Sequence, residues 1–165
     1  RYAEPDGTRH HSSGYGINAS GKVFVGEHDD VRFVMAYGQG LGRYLALGMA
    51  NAAVLDETSR LHTIGTINGL ISYVHHWNSK WRSGVSYAFF KAEDNTSLTG
   101  GSANLFSSSA YINLLYSPDP RLLFGTQLMY GNRQLENHEK GDMFRLQFSA
   151  KYTFNYSHTV HHRNK

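Results

Sequence analysis

The sequence predicts an all-β fold, a transmembrane antiparallel up-and-down β-barrel or an arc of a larger one. Three observations predict it. Apolar and polar residues alternate along about seven segments, with no segment of helical period competing. No run approaches the ~18–20 apolar residues of a membrane-spanning helix, and mean hydropathy is negative. Aromatic residues are abundant, with 11 Tyr, 9 Phe and 2 Trp in 165 residues, while Cys is absent and Pro is scarce at 3. Without cysteine there is no disulfide framework, thiolate metal site or Cys nucleophile.

The clearest alternation runs from Asp142 to Phe154. Even positions from Phe144 to Phe154 are Phe, Leu, Phe, Ala, Tyr and Phe, and the odd positions from Arg145 to Thr153 are all polar. Such a strand has two faces in different surroundings. A soluble sandwich would bury the aromatic face, whereas a membrane barrel would turn it to lipid and line its lumen with the polar one.

Taken in order, residues 1–13 form a polar, His-containing segment, 14–154 the barrel strands, and 155–165 a polar, His-rich tail. The first strand runs from about Tyr15 to Val25, with Tyr15, Ile17, Ala19, Gly21, Val23 and Val25 on one face. An acidic turn, Gly26 to Asp30, leads to a second strand carrying Val31, Phe33, Met35 and Tyr37. The glycines of Gly38-Gln39-Gly40-Leu41-Gly42 read as a relaxed continuation of that strand. They lack the strand-then-helix context of a phosphate cradle. A mixed segment follows to about Arg60.

The third strand covers Thr63 to Trp77, and the turn Asn78-Ser79-Lys80 leads into a fourth from Trp81 to about Phe89. A Ser/Thr/Gly/Asn-rich loop precedes the fifth, Ser109 to Tyr116. Ser117-Pro118-Asp119-Pro120 predicts a turn, because Pro presets φ and Asp caps its own backbone. The sixth strand spans Arg121 to Arg133, and a polar loop from Gln134 to Gly141 leads to the seventh. Most strands have the ~9–11 residues a tilted strand needs to cross a bilayer. Short connections after strands one, three and five, and longer ones after two, four and six, match the turn-and-loop asymmetry of membrane barrels.

The aromatics sort by strand end. Phe33, Trp77, Trp81, Tyr116, Phe124, Tyr152 and Phe154 fall near the short turns, and Tyr15, Tyr37, Phe89, Tyr130 and Phe144 near the long loops. Two bands of amphipathic rings suit the two interfaces of a bilayer. Of these, Phe33, Trp77, Trp81, Tyr116, Tyr152 and Phe154 are the expected lipid-interface residues. Lys91 shares their face at an outer end, where its stem can snorkel toward head groups.

Net charge is only +3, but its placement is informative. The 13 acidic residues fall in expected turns, loops and strand ends, while Lys22, Arg32, Arg82, Arg145 and Lys151 lie within strands in the register of the polar face. Arg121 and Arg133 stand at the ends of the sixth strand in the same register. A lumen with these seven residues on its wall is basic and unopposed within the segment. Arg and Lys rings favour anions, and the Arg fork matches carboxylates. The expected solutes are small anions, above all (di)carboxylates.

From residue 14 to 154 the chain resembles the C-terminal part of DcaP-like outer-membrane porins. The likeness rests on Gly14-Tyr15-Gly16-Ile17-Asn18 leading to Gly21-Lys22, on Asp29-Asp30-Val31-Arg32-Phe33, on Tyr37-Gly38-Gln39-Gly40-Leu41-Gly42-Arg43-Tyr44 and on Arg145 to Phe154. The resemblance implies a trimeric, many-stranded porin of the Gram-negative outer membrane, surrounded by lipid and lipopolysaccharide and passing dicarboxylate-like anions. It also implies that a terminal aromatic such as Phe154 is read by barrel-assembly machinery. Seven strands are an odd number, and eight would close around side chains. The chain is therefore expected to be part of a larger barrel.

No catalytic residue, cofactor, metal site or nucleic-acid partner is expected. Adjacent His75 and His76 point to opposite faces of a strand, so they cannot chelate one ion. Two other readings remain at the level of sequence: a soluble lipocalin-like ligand-binding barrel, and a small non-conducting outer-membrane barrel.

Overall fold

A computed structural model of the protein describes residues 2–3, 9–45, 49–93 and 96–154; the tail 155–165 lies outside the described residues. The elements in chain order are β1 (Tyr2–Ala3), β2 (Arg9–His10), β3 (Tyr15–Val25), β4 (Asp29–Gln39), α1 (Gly42–Leu45), β5 (Ala53–Leu55) and β6 (Leu61–Thr63). They continue with β7 (Gly65–His76), β8 (Trp81–Ala92), α2 (Thr96–Thr99), β9 (Asn104–Asp119), β10 (Leu122–Leu135) and β11 (Lys140–Tyr152).

Seven of the strands form one antiparallel sheet in the order β11-β10-β9-β8-β7-β4-β3. Successive strands of the sheet are sheet neighbours throughout, as in an up-and-down meander, with the β1–β2 and β5–β6 hairpins set aside from it. Among the described residues, β3 and β11 each pair on one side only. The sheet therefore ends in two open edges and does not close on itself.

The expected strands all form, and their limits show what pairing adds. Asp29 and Asp30, expected in a turn, belong to β4 and pair with Val25 and Phe24. The turn expected over Ser117–Pro120 tightens to Pro120-Arg121, since Asp119 pairs directly with Leu122. The Asp119 carboxylate accepts the Arg121 backbone N–H at 2.9 Å and holds that turn. The connection after β10 shortens to residues 136–139, because the pairing of β10 with β11 runs on through Gln134 and Lys140. His138 takes a left-handed φ of 68° there. The short-and-long rule for the connections thus holds for residues 26–28, 40–64, 77–80, 93–103 and 120–121, and fails at the last one.

The glycine-rich run also departs from expectation. The strand stops at Gln39, Gly40 turns with φ 70°, and Gly42 opens the short helix α1 instead of continuing a strand. Gly42 packs so closely on the following turn that a Cβ there would meet the Ala50 and Asn51 carbonyl oxygens at 2.7 and 2.8 Å. Only glycine lets the segment fold back at once.

Register sorts the sheet into two faces. One carries a row from Ile112 through Leu128 to Leu146 and another from Trp81 through Tyr116 and Phe124 to Ala150. The other carries Lys22, Arg32, Ser72, Ser86, Tyr111, Met129 and Arg145 in one continuous row across all seven strands. Small residues keep the aromatic face level. The Phe33 ring lies over Gly21, where a Cβ would meet it at 2.8 Å, and the Phe89 ring lies over Gly69.

Among the described residues, the aromatic face is largely without protein cover. Phe144, Phe148 and Tyr152 are 72, 74 and 61% exposed. The buried apolar cluster lies on the opposite face instead, where Ile64, Phe90 and Ala92 pack with Ala50 and Val54. A soluble sandwich would bury the first set, so the packing has the reverse arrangement of a soluble core.

Candidate functional site

The polar face of the sheet is the candidate site. Strand alternation places Asn113, Gln127 and Gln147 side by side in one uncharged row. Hydroxyls satisfy one another on this face: Ser86 Oγ donates across strands to Ser72 Oγ at 2.8 Å, and Ser109 Oγ donates along β9 to the Tyr111 hydroxyl at 3.0 Å. Towards the long-loop end this face borders a cavity of about 940 Å³. Leu70, Phe90, Met129, Met143 and Met49 supply its apolar walls, and Arg133 and Ser109 its polar ones.

The segment 40–64, in its described residues, folds back over the polar face at that end. Its hydrogen bonds from Gly40 N to the Ile64 carbonyl and from Ile64 N to the Ala52 carbonyl, both 3.0 Å, fold it back on β7. Glu93 locks its base by accepting the Gly65 backbone N–H at 2.8 Å. The tip is organised by Asp56, whose Oδ1 accepts from the Thr58 N–H, the Thr58 hydroxyl and the Arg60 N–H, each at 2.8 Å. His62 Nε2 meets its Oδ2 at 2.7 Å.

The Arg60 backbone N–H, His62 and Thr58, in that order, hold the Asp56 carboxyl well below the usual carboxylate range. A carboxylate depressed by folding stabilises the folded hairpin above its unfolded pKa of ~3.9 and loses that contribution as pH falls through the lower, folded value. Amide-exchange protection of residues 53–63, relative to the intrinsic rate at each pH, should therefore be kept from neutral pH to about pH 4 and fall below it. Asp56→Asn should remove that acid-dependent step; a step that survives the substitution would exclude Asp56 as its cause.

The seven basic residues of the expected wall do not share one environment. Arg145 and Lys151 on β11 and Arg82 on β8 stand on the polar face with no ion pair among the described residues. Arg133 lies on the same face and donates from Nε to Asn104 Oδ1 at 3.0 Å, alongside Ser107 at 2.9 Å. Arg121 sits in the Pro120-Arg121 turn, beyond the wall itself.

Lys22 and Arg32 correct the expectation of an unopposed basic wall. Arg32 donates from Nε and Nη2 to the two oxygens of Asp30, at 2.6 and 3.1 Å, and Lys22 Nζ lies 3.3 Å from the same carboxylate. The expectation failed because Asp30 was assigned to a turn; pairing with Phe24 and Val74 puts it in the strand, in the register of the polar face.

The aromatics expected at the lipid interface pack on one another and on small residues. Trp81 stacks on Tyr116 with centroids 4.4 Å apart, and Tyr152 on Phe154 at 6.5 Å. Trp77 meets His75 edge-on at 4.4 Å and donates from Nε1 to Ser83 at 3.0 Å. Phe33 covers Gly21. Sequence reasoning missed a polar network beside them, in which the Asp29 carboxylate accepts from the Tyr73 hydroxyl and the His76 N–H and meets His75 Nδ1 at 2.7 Å. The odd-number register shared by Asp29, Tyr73 and His75 was the available signal. His76 points to the other face, as the alternation requires.

No protein-family model matches the chain, and no curated protein matches it. Among solved structures, the outer-membrane channel DcaP of Acinetobacter baumannii is similar to it, with a TM-score of 0.79 and 21% sequence identity. The match covers 86% of this chain and 41% of that channel, so the chain spans about two fifths of the channel's length. The resemblance read from the sequence holds at the level of fold: the chain has the fold of an arc of the DcaP β-barrel wall.

Proposed function

We propose that this chain is part of the wall of a bacterial outer-membrane porin that gives small anions passive passage. The observation that carries this reading is the placement of the sheet's two faces. The aromatic, apolar face is uncovered, while the polar face holds Arg82, Arg145 and Lys151 and the segment 40–64. An uncovered apolar face of this extent suits lipid, with the Trp and Tyr rings at its margins among head groups and lipopolysaccharide. Open strand edges are not tolerated in hydrocarbon, so further strands complete the barrel on the free sides of β3 and β11.

The basic residues on the water side favour anions, with (di)carboxylates best matched to the Arg fork. The similarity to a channel supports a transport role and not an enzymatic one. The homotrimer implied by the family resemblance belongs to the same proposal.

The test is the reversal potential of the full-length parent in planar bilayers under a potassium chloride gradient. A potential on the chloride side of zero is expected, and succinate should carry current as chloride does. A cation-selective pore would overturn the anion assignment. Purification as a soluble monomer without detergent would overturn the membrane assignment and favour the soluble binding barrel.

A further inference from the structure

One carboxylate interrupts the basic wall. Among the described strand positions of the polar face, Asp30 is the only acidic residue, and its side chain is 4% exposed. It is gripped from two strands. Arg32 approaches with two nitrogens on two oxygens, and Lys22 closes on the same group from β3. Lys22 is held a second time by the Phe24 ring, 4.4 Å from its Nζ. Both cations, though about half exposed, are thereby tied to one carboxylate on the wall, and the β3–β4 side keeps one uncompensated positive charge. On the β8 and β11 side, Arg82, Arg145 and Lys151 keep theirs in full. The polar face is charged unevenly from side to side.

We infer that Asp30 is a specificity-determining residue of the pore: it lowers the anion preference and confines the strongest positive field to the side of the wall from β8 to β11. This inference rests on the porin reading. Its physical basis is that a lumen lined by one sign of charge focuses field on its contents, so that one buried opposite charge removes a large part of it. Removing that charge frees Lys22 and Arg32 to act on passing ions. An asparagine at position 30 keeps an oxygen that accepts from Arg32, so the local geometry has a substitute partner.

The test compares the full-length parent with its Asp30→Asn variant by reversal potential in potassium chloride gradients. The variant should move further towards the chloride equilibrium potential. The difference should shrink at high salt, because the screening length falls from ~10 Å at 0.1 M to ~3 Å at 1 M. Should Asp30→Asn not assemble alone, the same shift is read by adding it to a Lys22→Gln background, which removes both members of an ion pair. No shift at low salt in either background, or a shift in the cation direction, overturns the role of Asp30. A parent that is cation-selective, yet still shifts towards chloride on Asp30→Asn, supports this role while overturning the anion-porin reading.

Discussion

Phe148→Arg should abolish or severely reduce folding of the parent barrel into bilayers, whereas Gln147→Arg, one residue earlier, should fold as well as the wild type. Phe148 lies midway along the apolar face of β11 between Phe144 and Tyr152, and is 74% exposed. Because so little of it is covered by protein, losing the ring creates no cavity, and any cost comes from what the exposed face meets. On the lipid side of a barrel at mid-depth, Arg costs about 2–4 kcal/mol, a large fraction of a typical total stability of about 5–15 kcal/mol. Gln147 shares a row with Asn113 and Gln127 on the opposite face, where a further Arg meets water. Folding into vesicles, followed by urea titration and by heat-dependent gel migration, gives the two stabilities. Equal tolerance at both positions would mean that the aromatic face does not look onto lipid.

The second large effect concerns the segment 40–64. Replacing residues 43–62 by a short Gly-Ser link should raise the single-channel conductance of the parent severalfold without unfolding the barrel. Ile64, Ala50 and Val54 of the segment pack on Phe90 and Ala92 of β8, on the polar face, and Met49 lines the cavity along that face. Its described residues lie on the polar face, which in a porin is the water side, so there it would occupy cross-section that solutes otherwise use. Its backbone hydrogen bonds run within the segment, from Gly40 to Ile64 and from Ile64 to Ala52, and the seven-stranded ladder does not pass through it. An unchanged conductance would show that the narrowest point of the path lies elsewhere.

The parts legible in the sequence were those governed by a period of two. Alternation from Phe144 to Phe154 fixed which residues share a face, because successive side chains on a strand point opposite ways whatever the neighbours are. For the same reason the seven strands, the aromatic bands and the shared face of Lys22, Arg32, Arg82, Arg145 and Lys151 were all accessible. Strand ends were less so, since they depend on partners. Asp29 and Asp30 look like turn residues locally, and join β4 because Val25 and Phe24 pair with them. Pro118 looks like a turn residue too, yet β9 runs past it to Asp119, opposite Leu122.

By itself, then, the sequence determined the strand number of this segment, the division of its residues between two faces, and the abundance of positive charge on one of them. Only the tertiary structure decided the rest. Among the described residues, it left the aromatic face largely uncovered, folded Ala50, Val54 and Ile64 onto the polar one, brought Lys22 and Arg32 together on Asp30, and left the edges of β3 and β11 unpaired. The physical reason is that periodicity is a property of one strand, whereas cover, charge pairing and closure depend on what lies beside it. Residues far apart in sequence or on neighbouring strands, such as Ile64 with Phe90 or Lys22 with Asp30, acquire their relation only when the ladder sets them side by side.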